Sequence, residues 1–210
     1  MSSPAKAPHP AHQDSHKDYE GAKFGMWLFL FTEILLFGGL FILYSAYRAK
    51  YPLEFHDAGR HLNVVIGVGN TLILLTSSLT IAFSITAIQK GERKASILCL
   101  AGTIVLGAVF LVNKYIEWSG EIGRGLYPNS PILSQRPKGD QIFFGLYYSM
   151  TGLHGLHVFA GIVVLSIMLI LTIRGTISKF DFNKLENAGL YWHLVDVIWI
   201  FLLPLFYLAA

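Results

Sequence analysis

Few residues in this chain are equipped for chemistry, and their spacing says more than their number. Glu33 is the single acidic or basic residue between positions 24 and 47, and residues 62–88 hold none. Lys114 and Glu117 stand three apart, as do His154 and His157, and again His193 and Asp196. Three residues make roughly one helical turn, so each pair shares a face. Asn113 joins the face of Glu117, and Glu186 and Gly189 extend the stripe of His193 and Asp196. In hydrocarbon an ionisable side chain is costly unless it is paired, neutral or turned to a polar cavity, so each is a functional candidate. The chemistry on offer is proton handling by Glu33, or by Asp196 beside His193. Histidines facing each other across helices would also serve as axial ligands to haem iron. The competing use for every one of these groups is hydrogen bonding between helices.

The elements that must position them follow from composition. Of 210 residues, 53% are hydrophobic and 14% charged, against about 25% charged in a soluble domain. About 20 apolar residues cross a bilayer core, and five segments qualify: 24–47, 62–88, 96–118, 142–173 and 188–208. The predicted fold is all-α, a polytopic membrane protein built as a bundle of five transmembrane helices. A soluble enzyme, a nucleic-acid binder and a disulfide scaffold are excluded together. The net charge of +3 needs no acidic partner, because positive loops are expected of membrane proteins. Cys99, the lone cysteine, makes no internal disulfide. Trp27, Tyr44, Tyr47, Trp118, Tyr147 and Tyr148 fall where interfacial aromatic belts are expected.

Five spans place the two ends of the chain on opposite sides. One side collects Lys6, Lys17, Lys23, Lys90, Arg93, Lys94, Arg174, Lys179 and Lys184; the other Arg48, Lys50, Arg60, Arg124, Arg136 and Lys138. The positive-inside rule then predicts a cytoplasmic N-terminus and a C-terminus outside. Residues 1–22, rich in Pro, Ala, Ser, His and charge, read as a disordered cytoplasmic tail ahead of a transmembrane domain over 23–210. His9, His12 and His16 lie in that tail without a Cys or carboxylate cage around them. The first span is longer than a signal-peptide core and is expected to be retained. Residues 119–141, with Pro128, Pro131 and Pro137, read as an external cap.

Counting residues at 1.5 Å rise sorts the polar groups by depth. Glu33, ten residues past Lys23, and Asp196, ten past Glu186, both fall roughly 15 Å in from the tail side. With His193 they form one expected layer, near the level of Ser77 and Ser78. Lys114, Glu117, His154 and His157 form a second layer nearer the other side, with Asn70 at a similar level. A single haem is not served by His154 and His157, since adjacent turns of one helix cannot supply both axial ligands, and His193 lies at a different depth. For Glu33, structural pairing and proton handling both remain open.

Several of these residues stand in longer strings. Gly25-Met-Trp-Leu-Phe-Leu-Phe-Thr-Glu33, running on to Leu36-Phe-Gly-Gly-Leu-Phe41, resembles the first core helix of subunit III of the haem-copper (cytochrome c) oxidases. Thr151-Gly-Leu-His-Gly-Leu-His-Val158 is similar to that family's paired-histidine segment. The string from Glu186 through Tyr191-Trp-His193 and Asp196 to Trp199 resembles its final helix. Lys114-Tyr-Ile-Glu-Trp118 and Asn70-Thr-Leu-Ile-Leu-Leu-Thr-Ser-Ser78 are weaker matches. The likeness runs from Lys23 to the end of the sequence.

The resemblance implies a non-catalytic accessory subunit of a bacterial respiratory terminal oxidase, one that reduces oxygen to water and pumps protons. It implies haem and copper in partner subunits and no redox centre or metal in this chain. It also implies structural phospholipid, support of subunit I and of proton uptake, and contact with subunit II and other respiratory complexes. The implied place is the bacterial inner membrane, with multiple passes and no nucleic-acid partner. By resemblance Glu33 is the family's buried carboxylate, with His193, Asp196, Lys114 and Glu117 as intramembrane polar groups. His154, His157, Glu186 and Trp199 are motif positions associated with structure or lipid. Many family members have seven spans, so here two N-terminal helices are expected to be absent or supplied by another subunit. A quinol oxidase subunit III and an accessory subunit of a nitric oxide reductase are the near alternatives. A self-standing haem or quinone redox protein and a small proton transporter are the distant ones.

Overall fold

The structure, a computed structural model, describes residues 11–179 and 181–208, with side chains from Glu20 onward. Among these residues seven α-helices follow one another: α1 Ala11–Lys50, α2 Pro52–Gly59, α3 Val64–Gln89, α4 Arg93–Gly123, α5 Pro131–Ser134, α6 Lys138–Arg174 and α7 Asn183–Leu203. A π-helical turn, Pro204–Leu208, extends α7. No strand occurs among the described residues. Among the described residues five stretches are long and apolar enough to cross a membrane: Glu20–Lys50, Val64–Gln89, Arg93–Gly123, Lys138–Arg174 and Asn183–Leu208. Each contains an expected span or overlaps nearly all of it, and most overrun it by several residues. A helix keeps its hydrogen-bond ladder after the apolar stretch ends, so hydropathy underestimates its length.

The helix boundaries have local causes. Asn63 caps α3, its Oδ1 accepting from Val65 N at 3.0 Å and Ile66 N at 3.3 Å. α3 ends where Gly91 adopts φ 83°, which lets the Glu92 amide reach back to Ala87 O at 2.8 Å. α6 ends the same way at Gly175, φ 82°. Arg93, at the start of α4, donates from Nε to Thr172 O at 2.8 Å and from its guanidinium to Ile173 O. One arginine thus bonds two of the last carbonyls of α6 and ties the α3–α4 turn to it. α1 begins at Ala11, inside the stretch expected to be a tail; residues 1–10, His9 among them, lie outside the described residues.

Polar rungs and glycine notches hold the bundle, as they must where lipid competes equally for apolar side chains. Between α3 and α4, Ser84 meets Ser96 at 2.9 Å, Thr80 meets Thr103 at 2.8 Å, and Asn113 donates to Asn70 at 3.0 Å. Trp192 of α7 lies in a slot whose floor is Gly107 of α4 and Gly161 of α6; a Cβ on either would come within 2.6 and 2.8 Å of its ring. α1 is the least buried of the five, and it contacts α6, α7 and α2. Large apolar side chains cover the outside: Ile42, Val65 and Leu98 are each more than 70% exposed. In water that surface would aggregate; in a bilayer it is solvated.

Two residues expected in the aromatic belts are core residues instead. Tyr44 and Tyr147 are wholly buried. Tyr44 donates its hydroxyl to Leu205 O and packs edge-on against Phe55 of α2 and Phe206. α2 was not foreseen, and it covers this ring. A tyrosine near a helix end looks interfacial only when nothing folds over it.

Candidate functional site

The intramembrane polar residues resolve into three clusters. In the first, Glu33 of α1 places Oε2 2.9 Å from His157 Nε2 of α6, both side chains being about 15% exposed. The other ring nitrogen, Nδ1, lies 2.8 Å from Leu153 O. A carbonyl only accepts, so Nδ1 carries a proton. The contact at Nε2 is one of distance only: Glu33 Oε2 is buried and has no aligned hydrogen-bond partner among the described residues. Phe37 closes edge-on over the His157 ring at 5.4 Å, and Tyr191 of α7 donates to His157 O at 3.1 Å.

This pairing redraws the expected layers. Glu33 was grouped with His193 and Asp196, and His157 with Lys114 and Glu117. Residue counting places His157 in the outer layer when it starts from Arg174, the end of α6, but α6 has 37 residues and is about 55 Å long. A helix that overruns a core of about 30 Å cannot have its end taken as the membrane boundary.

The second cluster is enclosed. Lys114 Nζ donates to Glu117 Oε2 at 3.1 Å, Tyr147 OH at 2.9 Å and Tyr207 OH at 2.7 Å. Both phenols donate in turn to Glu117 Oε1, Tyr147 at 2.9 Å and Tyr207 at 2.5 Å. Ammonium and carboxylate, each under 10% exposed, are thus fully answered by their surroundings. The ammonium also lies 5.3 Å from the centroid of the Trp199 ring, and Trp199 donates to Thr71 Oγ1 at 3.0 Å. His154, fully buried, stands between Trp199 at 5.1 Å and Phe110 at 5.6 Å, with no hydrogen bond at either nitrogen. It does not share a partner with His157, although one turn separates them. Asn70, expected at this level, accepts from Asn113, the residue before Lys114.

The third cluster joins α3 to α7. Ser78 Oγ and His193 Nδ1 are 2.6 Å apart, and Trp192 donates to Ser77 Oγ at 3.0 Å. Asp196 is buried and its Oδ1 has no partner. Gly189, on the same stripe, admits Ile85 of α3. Glu186 diverges from the stripe and pairs with Lys23 of α1 at 3.2 Å. Among the described residues no three His, Cys, Asp or Glu side chains assemble as a metal site.

Sequence reasoning missed Tyr147 and Tyr207 as members of the Lys114 cluster. Tyr147 was legible as four residues before Thr151, on the inward stripe that leads to His154. Tyr207 reaches the cluster through the π-helical turn, which shifts the helical register, and no sequence period announces that.

Beside the first cluster, α1, α6 and α7 form a groove of about 490 Å³. Met26, Phe29, Ala160 and Val164 line its apolar length, with Lys184 and Asn187 also on its wall. Phe29 is one turn before Glu33 and Ala160 nearly one turn after His157, so the groove adjoins that pair.

A family model described as cytochrome c oxidase subunit III matches residues 9–210. Cytochrome c oxidase subunit 3 of Thermostichus vulcanus is 33% identical over 95% of this chain and 92% of its own length. Cytochrome bo(3) ubiquinol oxidase subunit 3 of Pseudomonas aeruginosa is 28% identical, over 95% of this chain and 90% of that one. Heme-copper oxidase subunit I+III of Aeropyrum pernix is 27% identical over 88% of this chain, which corresponds to 22% of that longer protein. With five membrane-crossing helices and this match along nearly its whole length, the chain belongs to the cytochrome c oxidase subunit III family.

Proposed function

We propose that this chain is the accessory subunit III of a bacterial haem-copper terminal oxidase. Its work is to brace subunit I, hold phospholipid and keep a proton-bearing pair at the membrane-embedded surface. The Glu33–His157 contact is the observation that carries this reading. A carboxyl and an imidazole this close, at the edge of the bundle and not in its centre and with the carboxyl oxygen's bonding left incomplete, can take up and pass on a proton without unfolding anything. The adjoining groove is chemically matched to a phospholipid: an acyl chain along Met26, Phe29, Ala160 and Val164, and a phosphate answered by Lys184. Haem and copper belong to partner subunits on this reading, and oxygen reduction and proton pumping to the assembled complex. Cytochrome c is the preferred electron donor, since the relative at 33% identity is a cytochrome c oxidase subunit. A quinol is the alternative, supported by the relative at 28%. The donor would dock on other subunits in either case.

Purifying the tagged chain from its native membrane in mild detergent tests the proposal. The expected result is co-purification of a haem-copper subunit I with bound phospholipid; a tagged chain that comes out alone overturns it. Oxidation of reduced cytochrome c, and not of a quinol, by the recovered complex settles the donor.

A further inference from the structure

The third cluster does one thing that the first two do not. His193 is half-buried, and only its Nδ1 is answered, by Ser78 at 2.6 Å. Its Nε2 has no hydrogen-bond partner among the described residues, and it is not among the enclosed orphan atoms as Asp196 Oδ1 is. It is therefore not fully enclosed, and the half-buried ring lies on the side of α7 that carries the exposed Val197 and Phe201. Ser78 stands fourteen residues after Val64 and eleven before Gln89 in α3. That is about 21 and 16 Å of helix, so the open nitrogen lies deep in the hydrocarbon. An imidazole nitrogen facing lipid tails forfeits its hydrogen bond with nothing in return.

The surface around it has the form of a helix seat. Successive residues of α7 turn by about 100°, so His193, Val197 and Phe201 step across roughly 80° of its exposed side. At one flank His193 meets Ser78 of α3; at the other Phe201 meets Phe41 of α1, ring centroids 6.1 Å apart. Val197 lies between them, 45% exposed, and Leu75 extends the apolar wall one turn from Ser78. The seat is apolar with a single hydrogen-bonding position at mid-depth.

We infer that the α3–α7 face is where a transmembrane helix of the catalytic subunit I docks, presenting a hydroxyl or amide side chain to His193 Nε2. Such a side chain both donates and accepts, so it answers either tautomer of the ring. The inference rests on the accessory-subunit reading above, which is supported by the relative that carries subunits I and III in one chain. It adds which face makes the contact and which atom sets its register.

The test is haem retained per tagged chain after detergent washing of the purified complex. His193→Leu removes the polar position, and Val197→Trp blocks the seat while remaining apolar and lipid-compatible. Val105→Trp, on an exposed part of α4, is the control face. The expected result is about three- to tenfold less retained haem for His193→Leu, a comparable loss for Val197→Trp, and none for Val105→Trp. Helix content and melting of each isolated chain are measured alongside. Should His193→Leu misfold, Val197→Trp decides the matter by itself. Equal retention by wild type and both seat variants overturns the docking face, as does equal loss from the control. A Val197→Cys cross-link landing on a second copy of this chain, or only on lipid, overturns it too. A wild-type chain that recovers no subunit I at all instead removes the accessory-subunit reading.

Discussion

The Lys114–Glu117 and Glu33–His157 pairs use the same elementary chemistry, a carboxylate beside a nitrogen base inside a membrane bundle, and they are built to opposite ends. Lys114 and Glu117 are surrounded: two tyrosines donate to the carboxylate, both accept from the ammonium, and three aromatic rings face the charge. Nothing is left over to react. Glu33 and His157 meet at one contact near the groove, and the carboxyl oxygen at that contact has no hydrogen-bond partner among the described residues. Completeness of hydrogen bonding, more than burial or charge, separates a structural ion pair from one able to exchange a proton.

That contrast can be broken experimentally, and the enclosed cluster should respond most strongly. Lys114→Met leaves Glu117 buried without its cation and should cost about 3–5 kcal/mol of stability, read from denaturation of the purified chain in detergent. The double variant Lys114→Met/Glu117→Gln should recover most of that loss. If the single change is harmless, the cluster is not the closed ion pair described. Tyr207→Phe removes one donor to Glu117 and one acceptor for Lys114, and should cost about 1–3 kcal/mol by the same measurement. It should leave the Glu33 pair untouched.

The open pair should show the reverse pattern. Glu33→Gln is expected to change stability little, and to slow sustained oxygen consumption of the assembled oxidase about two- to threefold at unchanged haem content. Normal turnover in that variant would reduce Glu33 to a packing residue. At the small end stands Lys23–Glu186, whose side chains are 37% and 29% exposed. Lys23→Ala should cost only a few tenths of a kcal/mol. A larger loss would mean that this surface contact also organises the groove.

The sequence by itself determined the fold class and the cast of polar residues. Hydropathy is a sum over neighbouring residues, so five spans, an apolar exterior and the isolated Glu33 were all visible without knowing which helix touches which. The motif strings around Glu33, His154, His157, His193 and Asp196 carried the family likewise, since motifs are local. Only the tertiary structure decided partnership. Glu33 found His157 and not His193, because α6 overruns the bilayer and residue counting from its end misjudges depth. Tyr147 and Tyr44 became interior, since α2 and the π-helical turn at Pro204–Leu208 cover what a window average reads as a helix end. His154 and His157, one turn apart, went to different neighbours, one to Trp199 and one to Glu33. Rotation and tilt of a helix about its own axis leave its hydropathy unchanged, yet they choose every hydrogen bond it makes.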